Sequence, residues 1–173
     1  MYDILGVARP SFFMKKIKII DNFLSVDDLN IIMKNISGSS WTMQSSNVGD
    51  SSSFLMYNVS NKEFFNNYLY KKVASTLKKD VKLERVYFNG QYWCRDGNIH
   101  TDGCDITALI YITPYSPGLG GFTEILKGND HHIIAPYQRR LVLFPGKWKH
   151  KGYAYSQQNV GMRISLAYKL NLI

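Results

Sequence analysis

The chain is poor in cysteine and in long apolar runs, and each shortage excludes a class of protein. Two cysteines, Cys94 and Cys104, among 173 residues cannot build a disulfide framework. No run approaches the roughly 18 apolar residues that a membrane-spanning helix needs. The start, Met1 to Arg9, has no apolar stretch behind a basic segment, so nothing there resembles a secretory leader. Free thiols in a reducing, cytoplasmic compartment are the expectation, with no membrane partner. No repeat and no biased linker divides the chain. With 45% hydrophobic residues, one domain spanning 1–173 is expected, large enough to bury a core without staples.

The formal net charge of +8 is spread along the chain rather than gathered into a motif. Lys15, Lys16 and Lys18 precede a strand-like run, Lys71, Lys72, Lys78 and Lys79 decorate a helical stretch, and Arg139, Arg140, Lys147, Lys149 and Lys151 come later. Such charges usually form a solvated surface; the alternative is a basic rim that steers an anionic substrate. A nucleic-acid partner is permitted by the charge, but no base-reading motif supports one. Nothing in the sequence indicates an oligomeric state.

Helical signals gather in the first half. Ser25-Val-Asp-Asp28 has the form of a capping box, Leu29, Ile32, Met33 and Ile36 follow at helical spacing, and Gly38 ends the segment. A serine-rich stretch, Ser39 to Ser53, reads as a loop, with Trp41 and Met43 suggesting that part of it packs. A second helix is expected from about Lys62 to Lys79, with Phe64, Phe65, Tyr68, Leu69, Val73 and Leu77 on one side. From Val81 the pattern changes to short β-rich runs: Val81 to Trp93, Asp105 to Thr113, Gly121 to Leu126, His131 to Ala135, Leu141 to Pro145 and Met162 to Leu170. Asn89-Gly90 is a candidate hairpin turn within the first. The expected fold is mainly β, a jelly roll or sandwich over about 81–171, supported by N-terminal helices over about 21–80.

The sharpest chemical signal is Ile99-His100-Thr101-Asp102-Gly103. Two residues apart on an extended segment, His100 and Asp102 project to one face, so an imidazole and a carboxylate can grip one ion. A second imidazole must come from His150, His131 or His132, and His150 follows the apolar run Leu141 to Pro145. Two histidines and one carboxylate leave three positions open on the metal, which suits Fe(II) and O2. Further on, Arg163 interrupts the strand Met162 to Leu170, and its burial would call for an anion; Ser165 points the same way. His131 and His132, beside Asp130, read as surface residues, and Cys94 and Cys104 as small residues of a pocket wall.

His100-Thr-Asp102, the later His150 and Arg163-Ile-Ser165 together resemble the 2-oxoglutarate- and Fe(II)-dependent dioxygenases. Thr107 to Thr113, Gly120-Gly121-Phe-Thr-Glu124 and Leu141 to Pro145 make the small prolyl 4-hydroxylase type the nearest resemblance, over roughly Val81 to Leu170. The resemblance implies a double-stranded β-helix in which His100, Asp102 and His150 bind Fe(II). It implies that Arg163, Tyr111, Ser165 and Tyr92 bind 2-oxoglutarate as co-substrate. O2 would be consumed, with ascorbate as a further candidate cofactor, and succinate and CO2 would be released. A peptidyl proline is the first substrate implied, with Trp148 and Tyr115 as candidate substrate contacts. The segment Lys151 to Met162 is longer than the family usually has and must bulge. The competing readings are the same chemistry on a free amino acid, small metabolite or nucleobase, and a non-enzymatic jelly-roll binding or virion-type protein.

Overall fold

Seven strands hydrogen-bond into one antiparallel sheet and three into another, and the alternation of side chains along the larger sheet organises everything else. The computed structural model describes residues 14, 16–45 and 53–173; the readings at Met1 to Arg9, at Lys15 and over 46–52 lie outside the described residues. In chain order the elements are β1 (Lys18–Ile20), α1 (Val26–Ile36), β2 (Thr42–Ser45), β3 (Ser53–Asn58), a π-helical turn (Phe64–Leu69) continuing into α2 (Tyr70–Ala74), and β4 (Val81–Gln91). There follow β5 (Ile106–Tyr111), β6 (Thr123–Lys127), β7 (Asp130–Ile134), β8 (Leu141–Pro145), β9 (His150–Gly152), a 3-10 turn (Gln158–Val160) and β10 (Arg163–Leu172). The large sheet runs β1-β8-β5-β10-β4-β3-β2 and the small one β7-β6-β9. This is the two-sheet, antiparallel arrangement of a jelly roll. Among the described residues, no helix is long and apolar enough to cross a membrane.

Neither face of the large sheet meets water at its centre, so β5 and β8 are buried at every residue instead of alternating. One set of side chains, including Val86, Phe88, Ala108, Ile110, Leu143 and Leu166, packs beneath the helices with Ile32, Phe65 and Val73. The other set, Tyr87, Leu109, Val142, Phe144 and Ala167, faces the small sheet and packs with Ile125 and Ile134. The helices thus seal one side of the sheet, and the gap between the two sheets holds the polar residues of β10.

Three expectations change. The stretch 39–53 is not all loop: Thr42–Ser45 pairs antiparallel with Ser53–Asn58, and β3 adds to β4, extending the sheet across what was expected to be helical support. Asn89-Gly90 makes no hairpin. β4 runs straight through it, with Gly90 opposite both Leu55 and Ile164. The second helix is shorter than Lys62 to Lys79 and begins as a π-turn.

Candidate active site

A two-residue backbone ladder brings the histidines together. His100 N–H donates to the His150 carbonyl at 3.0 Å and His150 N–H to the His100 carbonyl at 2.9 Å. Each imidazole uses Nδ1 on a carbonyl two residues back, His100 on Asn98 and His150 on Trp148, both at 2.9 Å. A carbonyl accepts only from Nδ1–H, so in the neutral imidazole each Nε2 presents a bare lone pair. Both turn towards Asp102: His100 Nε2 lies 3.8 Å from Oδ1 and His150 Nε2 3.3 Å from Oδ2. The three ligand atoms fall within 4.8 Å of one another. Converging lone pairs with a carboxylate are a donor set that a divalent cation fits, and the N2O composition suits a transition metal with positions to spare.

The electrostatics favour the ligand forms of His100 and Asp102. Burial, and then the neighbouring His150, lower the pKa of His100 and favour its neutral imidazole. Burial works to raise that of Asp102, but the His150 imidazole and the Lys169 ammonium outweigh it and leave the carboxyl well below the usual range. Asp102 is 8% exposed and is anchored by its own N–H, which donates to the Gly146 carbonyl at 2.7 Å.

Arg163, Ser165 and Lys169 of β10 line the same cavity as His100 and His150, because alternate residues of one strand share a face. Arg163 is 2% exposed. Its Nε–H donates to the Gly121 carbonyl (2.7 Å), one Nη to Gln91 Oε1 (2.7 Å) and the other to Thr123 Oγ1 (2.9 Å). Three of its five N–H groups are thereby used on neutral acceptors. Among the described residues no carboxylate pairs with it. Nearby, Ser165 Oγ is buried without a hydrogen-bond partner. A buried guanidinium beside an orphaned hydroxyl is an anion site by its chemistry. Gly121 is obligatory here: its φ is +73° and a Cβ would sit 2.6 Å from the Tyr155 ring.

The remaining candidates separate. Tyr111 is buried behind the cavity, and its hydroxyl donates to Thr123 Oγ1 at 2.8 Å, so Thr123 is the group that lines the wall. Burial is also the main cause that raises the Tyr111 pKa. Tyr92 is 54% exposed and does not line the cavity. Trp148 packs on the apolar cluster around Phe144, and Tyr115 meets Tyr137 and Phe122 edge to face; neither lines the cavity. Cys94 is exposed, while Cys104 sits behind Asp102 against Thr107 at 3.6 Å. His131 is exposed and pairs with Glu124 at 2.6 Å. The long segment after His150 folds back on the small sheet, with Tyr155 bridging to Gly120.

Thr107, Gln91, Thr123 and Lys169 were missed from sequence. Lys169 had a usable signal, since it lies six residues after Arg163 and an even spacing on a strand keeps the same face.

No family model and no curated protein matches the sequence. Solved structures do match. A prolyl hydroxylase from Trichoplax adhaerens, in complex with a hypoxia inducible factor oxygen degradation domain peptide fragment, superposes with a TM-score of 0.72 at 16% identity over 90% of this chain and 83% of that one. A 2OG-Fe(II) oxygenase family oxidoreductase from Burkholderia pseudomallei gives 0.74 at 12% identity over 90% and 84%. The viral collagen prolyl hydroxylase of Paramecium Bursaria Chlorella virus-1, solved as its 2OG complex, gives 0.67 at 16% over 92% and 98%. The chain therefore has the fold of the 2-oxoglutarate- and Fe(II)-dependent oxygenases and resembles the small prolyl hydroxylases among them.

Proposed function

We propose that the protein is a 2-oxoglutarate- and Fe(II)-dependent hydroxylase, with peptidyl proline as the first substrate to test. One observation carries the reading: a buried arginine, without an acidic partner among the described residues, shares a cavity with both histidines of a His-Asp-His cluster. A cavity with a cation-holding end and an anion-holding end suits a small dianion that also chelates a metal. In this reading His100, Asp102 and His150 hold the ion, and Arg163 and Ser165 hold the far carboxylate of 2-oxoglutarate. Thr123 and Gln91 keep the guanidinium in place, and Tyr111 supports Thr123 from behind. Bound Fe(II) would supply the activation of O2, one atom of which enters succinate and the other the hydroxylated product, with loss of CO2.

Succinate release from 2-oxoglutarate is the assay, run with Fe(II) and O2 across proline-containing peptides, free amino acids and oligonucleotides. The expected outcome is Fe(II)-dependent succinate, stimulated by a proline-containing peptide. No succinate under any condition would sink the enzyme reading, whereas succinate unstimulated by peptides would sink only the substrate. Arg163→Met should weaken 2-oxoglutarate binding by about 10- to 100-fold, the worth of a charge-assisted hydrogen bond, while leaving Mn(II) binding unchanged.

A further inference from the structure

The buried Lys169 is not explained by the chemistry so far. It is 3% exposed, lines the cavity, and donates to Asp102 Oδ2. Thr107, its direct partner across the β10–β5 ladder, donates to the same oxygen at 2.5 Å. Two donors from two adjacent central strands therefore converge on Oδ2, which His150 Nε2 also faces at 3.3 Å, while Oδ1 faces His100 Nε2 at 3.8 Å and accepts from neither strand. The Lys169 ammonium also lies 5.7 Å from the Tyr87 ring, whose face favours a cation.

We propose that Lys169 is a positioning residue: it ties down Oδ2 of Asp102 and so limits that carboxylate to a single bond with a metal ion. The inference rests on the metal-site reading above. A carboxylate with both oxygens free can chelate an ion through both. Held by Lys169, Asp102 contributes Oδ1 alone, and the two imidazoles bring the protein's share to three of six octahedral positions. Three positions then stay open, enough for a two-point co-substrate and O2. A chelating Asp102 would leave two, too few for both. The ammonium does this better than the Thr107 hydroxyl alone, because its charge adds to the hydrogen bond and its strand cannot swing away.

The test counts water molecules on Mn(II), using the intact protein, Mn(II) alone and the relaxation of solvent protons. Wild type should show about three exchanging waters. Lys169→Met, of similar volume but without a donor, frees Oδ2 to turn onto the ion and should show about two, a fall in relaxation enhancement of about a third. Thr107→Val should keep three, since Lys169 remains. A purely structural lysine would change stability without changing this count. Wild type with two waters, or folded Lys169→Met with three, overturns the proposal. Should Lys169→Met fail to fold by circular dichroism, the other two proteins decide. Three waters in both support the assignment, and two in Thr107→Val transfers the clamp to Thr107 and overturns it. Wild type that binds no Mn(II) overturns the metal-site reading and this proposal with it, a result distinct from binding with the wrong count.

Discussion

Asp102, behind the cavity wall, and Arg163, in it, carry opposite charges, and among the described residues only the negative one has an ionic partner. That asymmetry separates what could be read from the sequence from what could not. His100 and Asp102 were visible because spacing alone puts them on one face. Arg163 was visible because a charge in an apolar strand demands an explanation. The Tyr111–Thr123–Arg163 relay was not, since which hydroxyl reaches the cavity depends on how deeply β5 sits behind β6. Gly146 belongs to the same hidden class. Its carbonyl receives the Asp102 N–H, its N–H donates to the Asp105 carbonyl at 3.0 Å, and an added Cβ would collide with the Cys104 carbonyl and come within 2.8 Å of Cys104 Sγ. Backbone cannot step aside as a flexible side chain can. Gly146→Ala should therefore destabilise the fold by about 1–3 kcal/mol and weaken Mn(II) binding, read by thermal denaturation and by titration of the ion.

Among the elements, α1 followed its sequence most closely. Ser25 Oγ accepts from Asp28 N–H and an Asp28 carboxylate oxygen accepts from Ser25 N–H, both at 3.0 Å, and Lys72 of α2 closes on the same carboxylate at 2.6 Å. Burial alone would raise the Asp28 pKa, but Lys72 and then the Ser25 groups outweigh it and lower it below the ordinary 3.8. A lowered folded-state pKa stabilises the fold above the unfolded value, and that contribution is lost as pH falls through the folded value. Asp28→Ala should cost about 1–2 kcal/mol at neutral pH, and the gap to wild type should close as the pH drops below about 4 in urea denaturation. The β2–β3 hairpin was illegible for the opposite reason. Its residues, Thr42–Ser45 and Ser53–Asn58, carry weak alternation; β3 gains its strand state from β4, and β2 from β3. Asn89-Gly90 shows tertiary context overriding a turn dipeptide: Gly90 is small because Met162 and Trp41 lie over it, not because the chain reverses there.

For the molecule as a whole, the scattered charge acquires a purpose only if the ligand is anionic. The net charge of +8 creates a long-range field that attracts a dianion towards a cavity ending in Arg163. Association of 2-oxoglutarate should then slow severalfold between roughly 20 mM and roughly 200 mM salt in stopped-flow measurements, with dissociation little changed. The helices and the small sheet, meanwhile, shield opposite faces of the large sheet, so the polar cavity opens within an otherwise apolar interior. β10 has one further consequence. Arg163, Ser165 and Lys169 stand on a single strand, paired with β4 throughout and with β5 from Ser165 on, whose register is unbroken until after Lys169. In the reading proposed above, the pleat of β10 fixes the spacing from Arg163 to Lys169, so the backbone rather than a lid would set which length of diacid fits.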